Sequence, residues 1–140
     1  AQKKAIYERY EEGLKGLPVK MNPIPADCEP NYWLSCMIID EDAMCKQVRS
    51  DQDVAYIPEE GKSCPQEILD VIASINAEGR PIWKPMHMQP IFRMNPFVAK
   101  DGSVRAGEDI FHRGLCLPSD NKLTAEQQDK IIEVIRACFE

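Results

Sequence analysis

The sequence predicts an α+β fold, a small α/β sandwich in which helices pack mainly on one face of a few-stranded sheet. Three observations carry that expectation. Capped segments show apolar residues at helical spacing, one apolar and aromatic run has the length of a strand, and short apolar pieces lie between proline and glycine breaks. The chain of 140 residues has the size of one domain and can bury one modest core.

The opening stretch reads as a helix, because Ile6, Tyr7, Tyr10, Leu14 and Leu17 recur at three- and four-residue intervals. Gly16 and Pro18 stop it. Pro18 to Pro30 holds four prolines and is expected to be extended or looped. Tyr32 to Ile39 reads as a central strand covered on both faces, since nearly every position is apolar. Asp40 to Lys62 is acidic, and a short helix around Asp42–Val48 is expected before an exposed excursion. Ser63 and Gln66 make a capping-box pattern, with Pro65 in the first turn and Gly79 as the C-terminal cap. Ile68, Leu69, Ile72 and Ile75 form the buried stripe of that helix. Arg80 to Pro85 reads as a short strand, Glu108–Arg113 as an amphipathic turn ending at Gly114, and Leu115–Leu117 as a very short strand. Thr124 and Gln127 open the last helix with a second capping box, and Ile131, Ile135, Cys138 and Phe139 are its core stripe.

Composition narrows the function. The net charge of -6 argues against a nucleic-acid partner, which normally meets a basic face. No apolar run approaches the ~20 residues of a membrane span. The start, Ala-Gln-Lys-Lys, has neither an initiator Met nor an apolar leader, so the chain reads as beginning inside a longer protein. Six cysteines occur without a CxxC pair, and the two histidines, His87 and His112, are too far apart for a local zinc clip. No metal site is expected. The cysteines read as reduced thiols of a cytoplasmic protein, with Cys36 and Cys138 as small buried apolar residues.

The densest chemistry lies in Arg80-Pro81-Ile82-Trp83-Lys84-Pro85-Met86-His87-Met88-Gln89-Pro90. Prolines stiffen the segment, so its polar side chains are presented with little entropy left to lose. Arg80 or Lys84 could hold a phosphate or carboxylate, Trp83 could stack on a ring, and His87 could hydrogen-bond a substrate or pass a proton. Two of these also have a plainer role: a half-buried anchor for Trp83, a structural donor for His87. Gly61, Gly102 and Gly107 lack phosphate-loop spacing, and no nucleophile elbow or Cys/His pair is present.

Beyond the residues themselves, Pro85-Met86-His87-Met88-Gln89-Pro90-Ile91-Phe92 resembles the P-x-H-x-Q-P-x-aromatic stretch of the DegT/DnrJ/StrS family of sugar aminotransferases. Gly114-Leu115-Cys116-Leu117-Pro118-Ser119 resembles that family's short late strand, and Leu123 to Asp129 with Ile131-Ile132 its closing helix. Asn31-Tyr32-Trp33-Leu34 is similar to its strand after the domain crossover, where many members carry His at the position of Trp33.

The resemblance implies the C-terminal small domain of a fold-type I, pyridoxal 5'-phosphate-dependent enzyme, spanning residues 1–140, with 1–17 as the linking helix from a large domain. That enzyme would aminate a nucleotide-linked, UDP-linked 4-keto sugar for surface glycan synthesis, with an amino acid such as glutamate as donor, as a homodimer. The large domain would hold the cofactor and the lysine, so no catalytic residue and no bound cofactor are expected within 1–140. The resemblance points to His87, Trp83, Lys84, Gln89, Arg80, Asn31 and Trp33 as substrate-binding residues, and apolar surface is expected where the large domain would sit. The alternative is a non-catalytic binding or interaction module on the same fold.

Overall fold

A computed structural model describes residues 1–99 and 105–140. Gly102 lies outside the described residues. Helix α1 (Gln2–Gly13) buries Ile6, Tyr7 and Tyr10, and ends ahead of the expected Leu17. Gly16 adopts φ 88, a left-handed turn that glycine enters without penalty. The chain then enters β1 (Val19–Met21), which pairs antiparallel with β2 (Ser35–Ile39) in the register Val19↔Ile39.

Two features of the expected central strand are corrected. Tyr32, at φ 52, breaks the extended run, so Tyr32, Trp33 and Leu34 lie outside β2. Within β2, burial alternates: Ser35, Met37 and Ile39 are buried while Cys36 and Ile38 are half-buried, so only one face is fully covered. That alternation is the period-2 signature of an antiparallel sheet.

The helix expected around Asp42–Val48 is also corrected. Only Glu41–Ala43 makes a single 3₁₀ turn; β3 (Lys46–Arg49) and β4 (Val54–Ile57) then form an antiparallel hairpin. Its turn is held by Asp53 N–H donating to the Ser50 hydroxyl at 2.8 Å and Ser50 N–H donating to the Asp53 carbonyl at 2.8 Å.

Helix α2 (Pro65–Ser74) follows, with Pro65, Ile68 and Ile72 buried. The Ser63/Gln66 capping box does not form. Cys64 is the N-cap, the Ser63 hydroxyl donates to Glu67 Oε2 at 2.7 Å, and Gln66 N–H donates to Gln47 Oε1 of the hairpin at 3.2 Å. Ile75, assigned to the buried stripe, is 38% exposed. Asn76 at φ 60 takes the left-handed C-terminal position expected of Gly79. Gly79 instead permits close approach, because an added Cβ would stand 2.8 Å from Leu69 Cδ2 and 3.1 Å from the Cys116 carbonyl oxygen.

Strand β5 is only Arg80–Pro81, shorter than expected, and 3₁₀ turns at Met86–Met88 and Pro90–Phe92 carry the chain onward. Helix α3 (Ala106–Arg113) runs directly into β6 (Gly114–Leu117), and α4 (Ala125–Ala137) closes the fold. The Thr124/Gln127 capping box forms as expected: Gln127 N–H donates to Thr124 Oγ1 at 3.2 Å, and Thr124 N–H to Gln127 Oε1 at 3.0 Å.

The described residues therefore build a four-stranded antiparallel sheet, ordered β1-β2-β6-β5, with four helices and the separate β3–β4 hairpin. The fold is α+β. Helices α1, α2 and α4 bury Tyr10, Ile68, Ile72, Ile131 and Ile135 in one cluster with Met37, Ile39, Leu115 and Leu117 of the sheet. The edge β5 delivers the segment 82–98 to the surface.

Candidate functional site

Two clefts meet at Trp83. The first, about 480 Å³, lies between the β3–β4 turn and the segment leaving β5, and is lined by Arg49, Asp51, Arg80, Trp83, Lys84 and Phe111 among others. The second, about 340 Å³, is lined by Lys3, Trp33, Arg80, Trp83, Cys116 and Ser119 among others. Trp33 and Trp83 face each other with ring centroids 6.0 Å apart and a 32° tilt, and each is more than 60% exposed. Trp83 is thus no core anchor. Two neighbouring exposed indoles form a platform for a flat or apolar ligand surface.

Asn31 positions one of these rings: its Oδ1 accepts from Trp33 N–H at 2.9 Å, an Asx turn that works with Tyr32's positive φ. Tyr32 rests on Tyr7 of α1 at 5.4 Å. Arg80 reaches Glu78 at 2.6 Å, with both side chains mostly in solvent. Gln89 serves its own loop, its Nε2 donating to the Lys84 carbonyl at 3.1 Å.

Lys84 is tied to the hairpin. Asp51 accepts from Lys84 Nζ at 2.9 Å and from Arg93 Nη2 at 2.6 Å, joining the turn at residue 51 to both ends of the segment 84–93. Hydrogen bonds from Lys84 and then Arg93 hold the Asp51 carboxyl below the usual carboxylate range. Beneath it, Arg49 Cζ sits 5.0 Å from the Phe111 ring centroid, and its buried Nε has no hydrogen-bond partner among the described residues. Burial pulls that guanidinium's pKa down.

His87 lines neither cleft. It is mostly buried, stacked on Phe97 with centroids 3.8 Å apart, and its Nε2 lies 2.7 Å from Glu108 Oε1. Glu108 also accepts from Arg105 Nη1 at 2.7 Å; these bonds, Arg105's first, depress its carboxyl. The segment 80–89 therefore splits into a cleft-facing part (Arg80, Trp83, Lys84) and a braced part (His87, Gln89).

Asp51, Arg49 and Glu108 carry no sequence signal near that segment, because hairpin and helix bring them in from afar. What they build can orient and hold a ligand but shows no nucleophile with an adjacent base. Among the described residues no cluster of His, Cys, Asp and Glu could hold a metal. Nor does Lys84 fit the imine-forming lysine of a pyridoxal phosphate site. Lys84 is ion-paired to Asp51, whereas a lysine that forms an imine needs a free, uncharged amine. Apolar surface is exposed alongside, at Met86, Ile91, Met94, Phe97 and Val98. Among the described residues no helix is long and apolar enough to cross a membrane.

A carboxyl depressed in the folded state adds stability above its ordinary unfolded value and loses it as pH falls through the depressed value. Acidification below the ordinary carboxylate range is therefore expected to release Lys84 and Arg93 from Asp51 and to free the segment 84–93. Tryptophan emission followed through an acid titration should report this, and Asp51→Asn should show the released signal already at neutral pH. An identical acid transition in both proteins would contradict the assignment.

A sequence profile of the DegT/DnrJ/EryC1/StrS aminotransferase family matches residues 1–136. The chain is 32% identical over 139 residues to EpsN of Bacillus subtilis (strain 168), assigned as a pyridoxal phosphate-dependent aminotransferase, and the match covers 99% of this chain but 31% of EpsN. Its fold is similar to that of a DegT DnrJ EryC1 StrS aminotransferase from Brucella abortus, with TM-score 0.69 and 23% identity over 99% of this chain and 30% of that one. It is also similar in fold to DesI, solved in the presence of its TDP-sugar product, with TM-score 0.73 and 16% identity over 98% of this chain and 30% of DesI. The chain thus spans about a third of the length of the proteins it matches.

Proposed function

Because the chain belongs to the DegT/DnrJ/EryC1/StrS aminotransferase family, we propose that it is the C-terminal small domain of a transaminase acting on a nucleotide-linked, UDP-linked 4-keto sugar in surface glycan synthesis. Residues 1–17 are then the helix leading out of a preceding large domain. That domain would hold pyridoxal phosphate, which supplies the electron sink for moving an amino group. The enzyme would take its amino group from an amino acid such as glutamate and work as a cytoplasmic homodimer.

The observation that carries this reading is the exposed Trp33–Trp83 pair, which shares a cleft with Arg80. A transamination needs its ketone carbon held at one position, and binding groups remote from that carbon do the holding. In this chain the indoles offer flat apolar area, Arg80 offers a planar fork for phosphate oxygens, and Lys84 adds charge at the edge of the neighbouring cleft. Asp51 keeps the Lys84 ammonium in place, and the His87–Glu108 contact fixes the loop that follows.

The test uses the full-length protein. It should show visible cofactor absorbance that a competing amine removes, and Trp83→Ala should raise KM for the sugar nucleotide about tenfold, the scale of one lost aromatic stack. The absorbance should stay unchanged in that variant. A full-length protein without cofactor absorbance would favour the binding-module alternative, and an unchanged KM would remove Trp83 from the substrate site.

A further inference from the structure

Cys36 and Cys116 stand directly opposite each other on β2 and β6, with their sulfurs 3.5 Å apart. The backbone fixes which kind of pair this is. Cys36 N–H donates to Asn22 Oδ1 at 2.9 Å and its carbonyl accepts from Asn22 N–H at 2.8 Å, so both backbone groups of Cys36 point toward β1, away from Cys116. Cys36 and Cys116 are therefore a non-hydrogen-bonded antiparallel pair, the arrangement that brings opposed side chains closest, with Cα atoms about 4.5 Å apart. That separation falls inside the span of about 4.4–6.8 Å that a disulfide bridges.

The two thiols differ in access. Cys36 is half-buried, whereas Cys116 is buried and lines the cleft that holds Trp33 and Trp83. Their mutual hydrogen bond lowers the pKa of Cys36, which favours its thiolate, and that bond together with burial raises the pKa of Cys116. Cys45 and Cys64 are both buried, and burial with the neighbouring thiol pushes Cys45 up to about 12, which disfavours its reactive form.

We propose that Cys36 and Cys116 are a reversible dithiol site, oxidised by small-molecule disulfides to a cross-strand disulfide at the floor of the tryptophan cleft. Cys36, as thiolate, attacks one sulfur of an external disulfide R–S–S–R; that S–S bond breaks, Cys36–S–S–R forms and one RS⁻ leaves. Cys116, losing its proton, then attacks the Cys36 sulfur and expels the second RS⁻. Two electrons pass from the protein thiols to the external disulfide, and the two protons end on the released thiols. The bridge ties β2 to β6 beside Arg80, which is paired with Cys116 from the other side. The site does not depend on the sugar-nucleotide reading.

The full-length protein is incubated with glutathione disulfide, blocked with an alkylating agent and mapped by peptide mass spectrometry. The expected result is a linked Cys36–Cys116 peptide pair, two hydrogens lighter than the reduced pair, which dithiothreitol abolishes. Cys116→Ser should stall with glutathione on Cys36, and Cys36→Ser should take up none at Cys116. The proposal is overturned if Cys36 and Cys116 both stay alkylatable in the folded protein, if Cys45–Cys64 links instead, or if the glutathione adduct on Cys36 persists with Cys116 intact.

Discussion

Replacing Ile135 with alanine is expected to lower the stability of the chain by about 2–5 kcal/mol, the range for truncating a fully buried aliphatic side chain. Ile135 is wholly buried on α4, in the cluster that joins α1, α2 and α4 to the sheet. Truncation removes methyl groups from a site whose neighbours, on helices and central strands, cannot easily collapse inward. Domains of this size are typically stable by about 5–15 kcal/mol, so the loss takes a large share. Denaturant titration followed by circular dichroism should show a lower midpoint with an unchanged slope. A change within about 0.5 kcal/mol, as for surface positions, would mean that α4 is not held by this packing.

The second large effect is expected at Gly114, where α3 turns into β6 with no intervening loop. A Cβ added there would stand 2.5 Å from the Ile110 carbonyl oxygen and 2.9 Å from Ile82 Cγ1. The first neighbour is backbone, so Gly114→Ala must move the end of α3 relative to the sheet, at about 1–3 kcal/mol for overpacking. Because α3 also carries Glu108, that movement should disturb its 2.7 Å contact with His87. Two measurements check this together: the denaturation midpoint, and the chemical shift of the His87 imidazole. If the midpoint falls while the imidazole signal stays put, α3 does not set the position of His87.

Ile135 sits on the element that was most legible from sequence. Helix α4 carries its start signal and its apolar stripe within one stretch, and the Thr124/Gln127 cap is made by the two residues that announce it. Helix α2 was legible in place but not in its cap, since Gln47 of the β3–β4 hairpin accepts the Gln66 amide in place of Ser63. The hairpin itself was hidden because its alternation runs through Lys46, Gln47 and Arg49, polar residues that give a period-2 pattern almost no apolar contrast. Strand β1 was hidden by brevity: a three-residue edge strand between prolines reads equally well as loop.

The site divides the same way. Arg80, Trp83 and Lys84 were legible because proline bracing and mixed chemistry concentrate in a few consecutive residues. Their partners were not. Asp51 is 33 positions from Lys84 and Glu108 is 21 from His87, and only the hairpin and α3 bring them within bonding distance. The apolar run places Trp33 in a strand, whereas the left-handed conformation of Tyr32, which a tyrosine does not advertise, takes Trp33 out of it.

The sheet order has a consequence for how the chain comes off the ribosome. Strand β6 lies between β2 and β5, yet it is made after both, and α4 is made later still. Until Leu117 has emerged, β2 and β5 have nothing between them to pair with. Until α4 has emerged, α1 lacks the helix that accepts Arg9 at Asp129 and whose Gln128 and Arg136 side chains close onto the Ile6 and Gly13 carbonyls. Contacts between residues this distant in sequence are slow to form, because a long loop must close before they bring any gain. Resistance to proteases between α1 and the sheet is therefore expected to arrive only once α4 can dock on α1.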